Sequence, residues 1–419
     1  MATQEVSVGK TTSRKGLFEQ GPGLYSGLAD FPSKVNSHTM TAGILATIFG
    51  CTGPALIIMN SAMAGKLTEA QTISWLFSVY FFGGLLGIIH ALYYKMPING
   101  AWSIPGAVML ATSLTFFNLS QAAGAYLLAG VIVLVLGVTG LIDKVMRWIP
   151  LPIVMGMIAG AMIRFGTGIV SSVQQLPLVC GIAMAGYLLV QRVSKRIPPI
   201  LATLVVGLGA AYAFGAFNLK NVHISWVAPQ FVPLQFSMDA FLSIAVPLAV
   251  LVIGAENAQA IGVLMAQGYN PPINTMTILS GIGGIVTAFF GGHNANIAGP
   301  MTAICSSEEA GPDKTGRYAA TIINGLTFGS FGLFASAAVP FVKAIPSALI
   351  SLLAGLAMIG VLLSAFEGAF AARKFRAGAF FALVIAMSGI TLFKISSPFW
   401  ALVGGVIVSL VMESGDFGR

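Results

Sequence analysis

The sequence predicts an all-α polytopic membrane protein with about 14 transmembrane segments in two inverted repeats of seven. Of the 419 residues, 56% are hydrophobic and only 8% are charged, whereas about a quarter of a soluble domain is charged. The chain holds fourteen apolar stretches with short loops between them. The third and tenth stretches are short and carry glycine and proline at matching places, a pattern typical of a transporter's binding site.

The predicted segments form two repeats flanked by short termini. The N-terminal segment, residues 1–38, is polar and lacks the apolar core and cleavage site of a signal peptide. The first repeat covers 39–225, the second covers 226–413, and a short tail follows at 414–419. The segments run over residues 40–62, 71–93, 102–117, 121–141, 150–172, 177–191, 199–217, 239–263, 273–290, 296–306, 318–340, 347–366, 377–393 and 398–412.

Lysine and arginine lie mainly on one side of this predicted topology. With the N-terminus inside, sixteen of them fall in inner segments, four fall in outer loops, and Arg164 lies within a span. Cytoplasmic loops of membrane proteins carry such an excess. The distribution predicts that both termini are cytoplasmic. It also attributes the net charge of +8 to topology and not to nucleic-acid binding.

The two short segments resemble each other. The third reads AWSIPGAVMLATS from Ala101, and the tenth reads NANIAGPMTAICS from Asn294. They share an isoleucine at Ile104 and Ile297, followed by a glycine and a serine. Because two successive repeats of seven spans have opposite orientation, half-helices starting near these isoleucines would point their N-termini at each other. Two such ends form an anion site through their N–H groups and helix dipoles.

One acid lies well inside an apolar span. Glu256 stands in VLVIGAENAQAIGVL, where an ionisable side chain is costly and marks a functional site by default. We expect it to bind a proton on one side of the membrane and release it on the other. The alternative is a protonated carboxyl that caps a broken helix. Gln259, three residues on, is either a substrate ligand or a packing amide.

Polar and aromatic residues surround the two breaks. Trp102 and Ser103 precede the first half-helix, where the indole would stack on a flat substrate or anchor the span at the membrane interface. Asn294 and Asn296 would donate to a carboxylate or satisfy the broken backbone. His293 stands at the edge of the second break, either as a proton relay or as a bystander.

Two further places are unusual. The first span contains Thr52-Gly53-Pro54, which we expect to interrupt a helix at mid-depth and to contribute to the site, because the repeat partner of this span carries Glu256. Arg164 is the one basic residue well inside a span. It would attract an anion or take part in gating, or it would snorkel or pair structurally.

The sequence offers no enzyme motif. Its four histidines do not form H-E-x-x-H, G-x-S-x-G does not occur, and the three cysteines have no paired spacing. We therefore predict that the protein is not an enzyme and uses no cofactor or metal. An anion channel stays open, although two inverted halves with broken helices and a midplane acid favour alternating access.

Three long motifs resemble one family. AWSIPGA, GAENAQAIGVL, and GGHNANIAGPMTAICSSEEAGPD followed by RY are similar to the bacterial benzoate/proton symporter (BenE) family, from about Lys34 to Glu413. This family is similar in architecture to the uracil and nucleobase transporters. The resemblance implies a core domain from spans 1–4 and 8–11 and a gate domain from spans 5–7 and 12–14. It also implies short strands before both half-helices and a homodimer formed through the gate domain.

The resemblance also bears on the substrate. In nucleobase carriers an acid of the eighth span contacts substrate, and Glu256 matches it. A second Glu often stands in the tenth span, but here the matching stretch is Asn294-Ala295-Asn296. A carboxylate would repel an aromatic carboxylate, so its replacement by Ala295 fits a benzoate-like anion.

The residues and the resemblance together predict a secondary transporter in the bacterial cytoplasmic (inner) membrane. It would import benzoate or a related aromatic carboxylate with protons, by elevator-like alternating access. Amides and helix N-termini near Ile104 and Ile297 would hold the carboxylate, and apolar residues would hold the ring. The alternative is a carrier of a nucleobase or another anion on the same fold.

Overall fold

A computed structural model describes residues 18–141, 148–193, 199–216, 226–393 and 395–417. The first half contains α1 (Leu24–Lys34), α2 (Ser37–Ala64), α3 (Glu69–Tyr94), β1 (Gly100–Ala101), α4 (Ile104–Ser113), α5 (Leu119–Thr139), α6 (Leu151–Gln175), α7 (Pro177–Val193) and α8 (Pro199–Ala213). The second half contains α9 (Met238–Ala266), α10 (Ile273–Ala288), β2 (Asn296–Ile297), α11 (Gly299–Ser306), α12 (Tyr318–Leu333), α13 (Ala335–Lys343), α14 (Ser347–Phe370), α15 (Arg376–Ser388) and α16 (Ser397–Met412).

The chain is a mostly helical, multi-pass membrane protein. Among the described residues, six helices are long and apolar enough to cross a bilayer: α2, α3, α5, α6, α9 and α14. Six more helices are apolar but shorter, including the half-helix α4. Helices occupy all fourteen predicted segments, although the number that cross the membrane stays a prediction.

The expected interruption at Thr52-Gly53-Pro54 does not occur. Helix α2 continues through Pro54, whose missing N–H leaves the carbonyl of Gly50 without its helical donor. The hydroxyl of Tyr80 donates to that carbonyl at 2.8 Å. Helix α3 therefore supplies the hydrogen-bond donor that Pro54 lacks. The hydroxyl of Thr52 stays within its own helix, because it donates to the carbonyl of Ile48 at 2.7 Å.

Helix α9 contains two π-helical turns, Phe241–Ala245 and Val252–Asn257. The second turn includes Glu256. Such wide turns insert a residue into a helix and frequently lie at functional sites. Here the turn lies where α9 passes strand β2.

The two breaks meet as a small antiparallel sheet. Gly100 of β1 pairs with Ile297 of β2, and Ala101 pairs with Asn296. Helix α4 starts at Ile104, just after β1, and helix α11 starts at Gly299, just after β2. Gly83 allows α3 to approach β1 closely, since a Cβ there would lie 2.9 Å from the Cα of Ala101. The predicted half-helices, and the short strands implied by the resemblance, are therefore present.

The helices pack in two groups. Helix α12 packs on α2 and α3, and α5 packs along α10. Separately, α6 packs on α14 and α15, and α15 packs on α16. The groups touch where α2 passes α14, at Gly53 and Ala357. These pairings are compatible with the expected core and gate domains, whose separate movement stays a prediction.

The segment before α2 is fastened to the first group. The Glu19 carboxylate accepts the N–H groups of Asn274 and Thr275 at the start of α10, each at 2.9 Å. Lys34 forms an ion pair of 2.9 Å with Asp313, in the loop between α11 and α12. The described part of the N-terminal segment, from Phe18, therefore packs against helix ends that are predicted to be cytoplasmic.

Candidate functional site

A cavity of about 550 Å³ lies between the two helix groups. We call it the central cavity; its walls include Met155, Ile158, Glu256, Gln259, Val361 and Ser364. A smaller inner pocket extends from it between the half-helices and is lined by Trp102, Ala298, Met301 and Phe328. Four residues line both spaces: Phe49, Ile104, Glu256 and Pro300. The half-helix N-termini and the intramembrane acid thus converge, as the sequence predicts.

The N-terminus of α4 is capped by a side chain of its own N-cap residue. The hydroxyl of Ser103 accepts the N–H of Gly106 at 3.1 Å. The carboxyl of Glu256 lies beside the Ser103 hydroxyl and the Ile104 N–H. Because Pro105 has no N–H, the Ile104 N–H is the remaining donor of this first turn, and Glu256 adjoins it. Glu256 therefore lies at the start of a half-helix and also borders the cavity, and its role as a cap stays a prediction.

The N-terminus of α11 is open. Its N-cap residue, Ala298, has no capping side chain, and Pro300 has no N–H. The N–H groups of Gly299 and Met301 find no acceptor within the described part of the chain. Helix ends bind anions through such donors and through their dipole. Gln259 packs directly on Gly299, where a Cβ would lie 2.6 Å from its Cδ.

Helix α11 is held firmly from behind. The backbone N–H of Asn99 donates to the Thr302 hydroxyl at 3.1 Å, and its side chain accepts from Asn324 at 2.8 Å. At the other end of α11, buried Arg317 donates to the carbonyl of Ser306 at 2.7 Å. A cation at a helix C-terminus complements the dipole. The open N-terminus is therefore rigidly positioned.

Aromatic rings form the deep wall of the inner pocket. Trp102 is only 2% exposed, so it does not anchor the chain at a lipid interface. Its ring meets that of Tyr80 edge to face, with centroids 5.8 Å apart, and Tyr80 packs in turn on Phe328. The indole N–H of Trp102 is buried near the Tyr80 hydroxyl and forms no hydrogen bond of good geometry with the described atoms. The pocket thus offers flat apolar walls and one unpaired donor beside the open helix end.

Sequence comparison identifies the family. The profile described as "Benzoate membrane transport protein" (BenE) matches residues 33–411. The chain belongs to the BenE family.

Two curated relatives support the BenE assignment along nearly the whole chain. The inner membrane protein YdcO of Escherichia coli (strain K12) is 31% identical over 375 residues, 90% of this chain and 96% of the relative. A benzoate membrane transport protein of Acinetobacter baylyi (strain ATCC 33305 / BD413 / ADP1) is 29% identical over 371 residues, covering 88% and 94%.

Solved structures of anion transporters share the fold of this BenE protein. The transmembrane domain of the cyanobacterial bicarbonate transporter BicA matches with a TM-score of 0.59 and 16% identity over 88% of this chain and 97% of that one. The murine SLC26A9 anion transporter in the inward-facing state matches with a TM-score of 0.59 and 14% identity, over 98% and 74%. The fold is therefore SLC26-like, and the implied likeness to uracil transporters stays a prediction.

Not every candidate residue of the BenE chain lines a cavity. Pro54, Trp102, Ile104, Glu256 and Gln259 do. The other predicted site residues lie outside the two linings: Thr52, Gly53, Ser103, Asn294, Ala295, Asn296 and Ile297.

The asparagines of the second break support backbone. The side-chain oxygen of Asn294 accepts the N–H of Ser103 at 2.9 Å, and the side chain of Asn296 donates to the carbonyl of Ile297 at 3.0 Å. Ala295 packs against Gly283 behind the strand. These contacts favour the reading in which the amides satisfy the broken backbone, and a direct role in binding stays a prediction.

Arg164 lies away from both cavities. Its side chain is exposed on α6, and its guanidinium lies against Gly389 at the end of α15. The predicted role in anion attraction or gating is untested, but this placement favours a structural contact.

Sequence reasoning missed several wall residues, including Phe49, Ala298, Pro300, Met301 and Phe328. Phe49 and Phe328 are apolar residues in apolar spans, so composition cannot distinguish them. Pro300 and Met301 directly follow the predicted break. Extending the site by one turn into the half-helix would have found them.

Proposed function

We propose that this BenE-family membrane transporter imports benzoate, or a closely related aromatic carboxylate, together with protons. The observation that carries the proposal is the open N-terminus of α11, which faces an aromatic pocket beside the intramembrane acid Glu256. The names of the family and of the Acinetobacter relative support benzoate as the substrate.

The carboxylate would bind at α11. The N–H groups of Gly299 and Met301 are unpaired donors of the pocket among the described residues, and the side chain of Gln259 packs on Gly299. Bonds from N–H groups to a carboxylate are charge-assisted and stronger than neutral ones. The benzoate ring would then lie between Trp102 and Phe328, where aromatic walls bury its apolar surface.

Proton coupling follows from charge repulsion. Two unit charges 4 Å apart repel by about 4 kcal/mol at an effective dielectric constant of 20, which is a factor of about a thousand in affinity. An ionised Glu256 would therefore exclude the substrate carboxylate from the adjoining pocket. A protonated Glu256 removes the repulsion and still offers an acceptor oxygen to the Ile104 N–H. Benzoate and a proton would therefore bind together.

Access to the site would alternate between the two faces. The central cavity extends along the start of α6, at Leu151 and Met155, and along the end of α14, at Ser364 and Ala365. The lysine and arginine distribution predicts that these ends are cytoplasmic. The structure would then represent an inward-open form, with both termini in the cytoplasm. An elevator-like shift of the core domain against a dimeric gate domain would expose the site to the outside.

Uptake by purified protein in proteoliposomes tests the proposal. Labelled benzoate should accumulate when an inward proton gradient is imposed, and it should fail to accumulate when an ionophore collapses the gradient. Equal uptake in both conditions would contradict proton coupling. No protein-dependent benzoate uptake by folded protein would contradict the substrate.

The alternative is another anion on the same fold. The solved structures that share the fold, a bicarbonate transporter and an anion transporter, favour this candidate over a nucleobase. Bicarbonate, uracil and unlabelled benzoate should be compared as competitors of labelled benzoate. Only unlabelled benzoate should compete strongly, because the pocket walls are aromatic.

A further inference from the structure

His293 lies buried between the two halves of the site and has defined hydrogen-bond partners on both ring nitrogens. The indole N–H of Trp75, on α3, donates to its Nδ1 at 3.0 Å. Its Nε2 lies 2.9 Å from the carbonyl oxygen of Ser103, the N-cap residue of α4. Trp75, His293 and Ser103 are all fully buried.

These two partners fix the tautomer of the ring. An indole N–H can only donate, so Nδ1 must be an unprotonated acceptor. A carbonyl oxygen can only accept, so Nε2 must carry the hydrogen. A doubly protonated ring would point its Nδ1–H at the N–H of Trp75. The site therefore selects neutral His293 with hydrogen on Nε2.

Ser103 is consequently held at three points. His293 binds its carbonyl oxygen, Asn294 accepts its N–H at 2.9 Å, and its hydroxyl accepts the N–H of Gly106. That hydroxyl also lies beside the carboxyl of Glu256. His293 and Asn294 both belong to the stretch that leads into β2. Residues of the second repeat thus fix Ser103, the N-cap residue of α4 in the first repeat. Ser103 is also the direct neighbour of Glu256.

The surroundings leave the ring little freedom. A Cβ on Gly106 would lie 3.2 Å from its Cδ2. The Trp102 and Tyr126 rings meet it edge to face, with centroids 5.6 and 6.4 Å away. The titratable groups facing His293 are Tyr126 and, beyond Ser103, Glu256. Neither forms a hydrogen bond with the imidazole in the described structure.

We infer that His293 is a positioning residue that remains neutral during transport and fixes Ser103 beside Glu256, and that it does not carry the transported proton. Only the statement that His293 does not carry the transported proton rests on the proposed proton-coupled function. The tautomer and the position of Ser103 hold whatever the substrate is.

The tautomer is tested directly by ¹⁵N NMR of histidine-labelled protein in lipid. The chain has four histidines, so comparison with His293→Gln assigns the resonance. The expected spectrum shows hydrogen on Nε2 and none on Nδ1 from pH 5 to pH 8. A ring protonated within that range, or carrying hydrogen on Nδ1, would overturn the inference even if benzoate were not transported.

Transport assays test the positioning role. His293→Gln retains one acceptor and one donor, so it should accumulate benzoate with a KM and a pH profile close to those of the parent protein. His293→Leu loses both bonds and should raise KM roughly tenfold and shift the pH profile, because the Ser103 carbonyl then keeps only the Ala107 N–H as a donor and Ser103 is held less firmly beside Glu256. If His293→Gln carried benzoate but no longer accumulated it with a proton gradient, His293 would be the proton carrier and the inference would be wrong.

A second variant keeps the test decisive if His293→Leu does not fold. Trp75→Phe removes only the donor to Nδ1 and should change KM in the same direction. Trp400→Phe is the matched control, because the indole of Trp400 donates to the carbonyls of Leu392 and Ile395 away from the cavities. An unchanged KM and pH profile in Trp75→Phe would show that the hydrogen bonds from Trp75 through His293 to Ser103 do not position the site.

Discussion

At the scale of single residues, we expect Glu256 to combine two tasks. Its carboxyl lies beside the first turn of the half-helix α4, which it would cap, and it also borders the pocket where a substrate anion would bind. Capping alone is satisfied by any acceptor oxygen, whereas coupling requires a group that gains and loses a proton. A neutral amide of the same shape therefore separates the two tasks.

Glu256→Gln should preserve capping and abolish coupling. The amide oxygen can accept the Ile104 N–H, and its NH₂ can donate to Ser103, so the protein should fold. Exchange of labelled for unlabelled benzoate across proteoliposomes should persist, while accumulation driven by a proton gradient should disappear. The control is Glu309→Gln, which changes an exposed acid between α11 and α12. Gradient-driven accumulation by Glu256→Gln would assign coupling to another group.

A side chain added at Gly299 should block the open N-terminus of α11. A Cβ there would lie 2.6 Å from Cγ and Cδ of Gln259, so alanine must displace that side chain across the first turn of α11. Gly299→Ala should raise KM for benzoate roughly tenfold or more, since bonds to a charged group contribute about 1.5–3 kcal/mol. Gly262→Ala, on the same helix as Gln259, meets open space and should leave KM unchanged. Equal KM values for both variants would place the carboxylate elsewhere.

At the scale of elements, the sequence predicts helix positions well and helix ends poorly. Apolar length and the glycine-proline breaks place the helices and both half-helices. Pro54 was misleading, because the compensating donor is the hydroxyl of Tyr80 on another helix. The difference between the two half-helix ends was only partly visible. The sequence shows that the N-cap residue Ser103 has a hydroxyl and that Ala298 has none, but it does not show that Glu256 lies beside the first turn of α4.

The contact between α2 and α14 is the place where movement between the helix groups can be tested. A Cβ on Gly53 would collide with that of Ala357, and overpacking at a tight contact costs about 1–3 kcal/mol. Gly53→Ala should therefore lower kcat of benzoate uptake roughly tenfold and change KM little. Gly168→Ala, with nothing near its added methyl group, is the control.

A double variant that adds a methyl group at Gly53 and removes one at Ala357 makes this test specific. Ala357→Gly in the Gly53→Ala background restores the space at the contact, so it should recover most of the lost kcat. If the double variant remains as slow as Gly53→Ala, the defect does not arise from the contact between α2 and α14.

At the scale of the whole molecule, alternating access requires that the site open to one face at a time. The central cavity reaches Ser364 near the end of α14 that is predicted to be cytoplasmic. A separate cavity on the predicted outer side is lined by Gln121, Asp239 and Thr391. A small apolar space lined by Met109, Met157 and Leu251 adjoins the central cavity, with which it shares Pro105 and Ile158. We expect these apolar residues to act as a barrier to ions and water between the two cavities.

Single cysteines at Ser364 and Asp239 should therefore react from opposite faces. In a transport-competent background with Cys51, Cys180 and Cys305 replaced, a membrane-impermeant maleimide should label Ser364→Cys only in inside-out vesicles. It should label Asp239→Cys only in right-side-out vesicles. The reverse pattern would invert the topology derived from the lysine and arginine distribution. Labelling of both positions from one face would indicate a continuous path, and the anion channel would then replace the carrier as the better account of this fold.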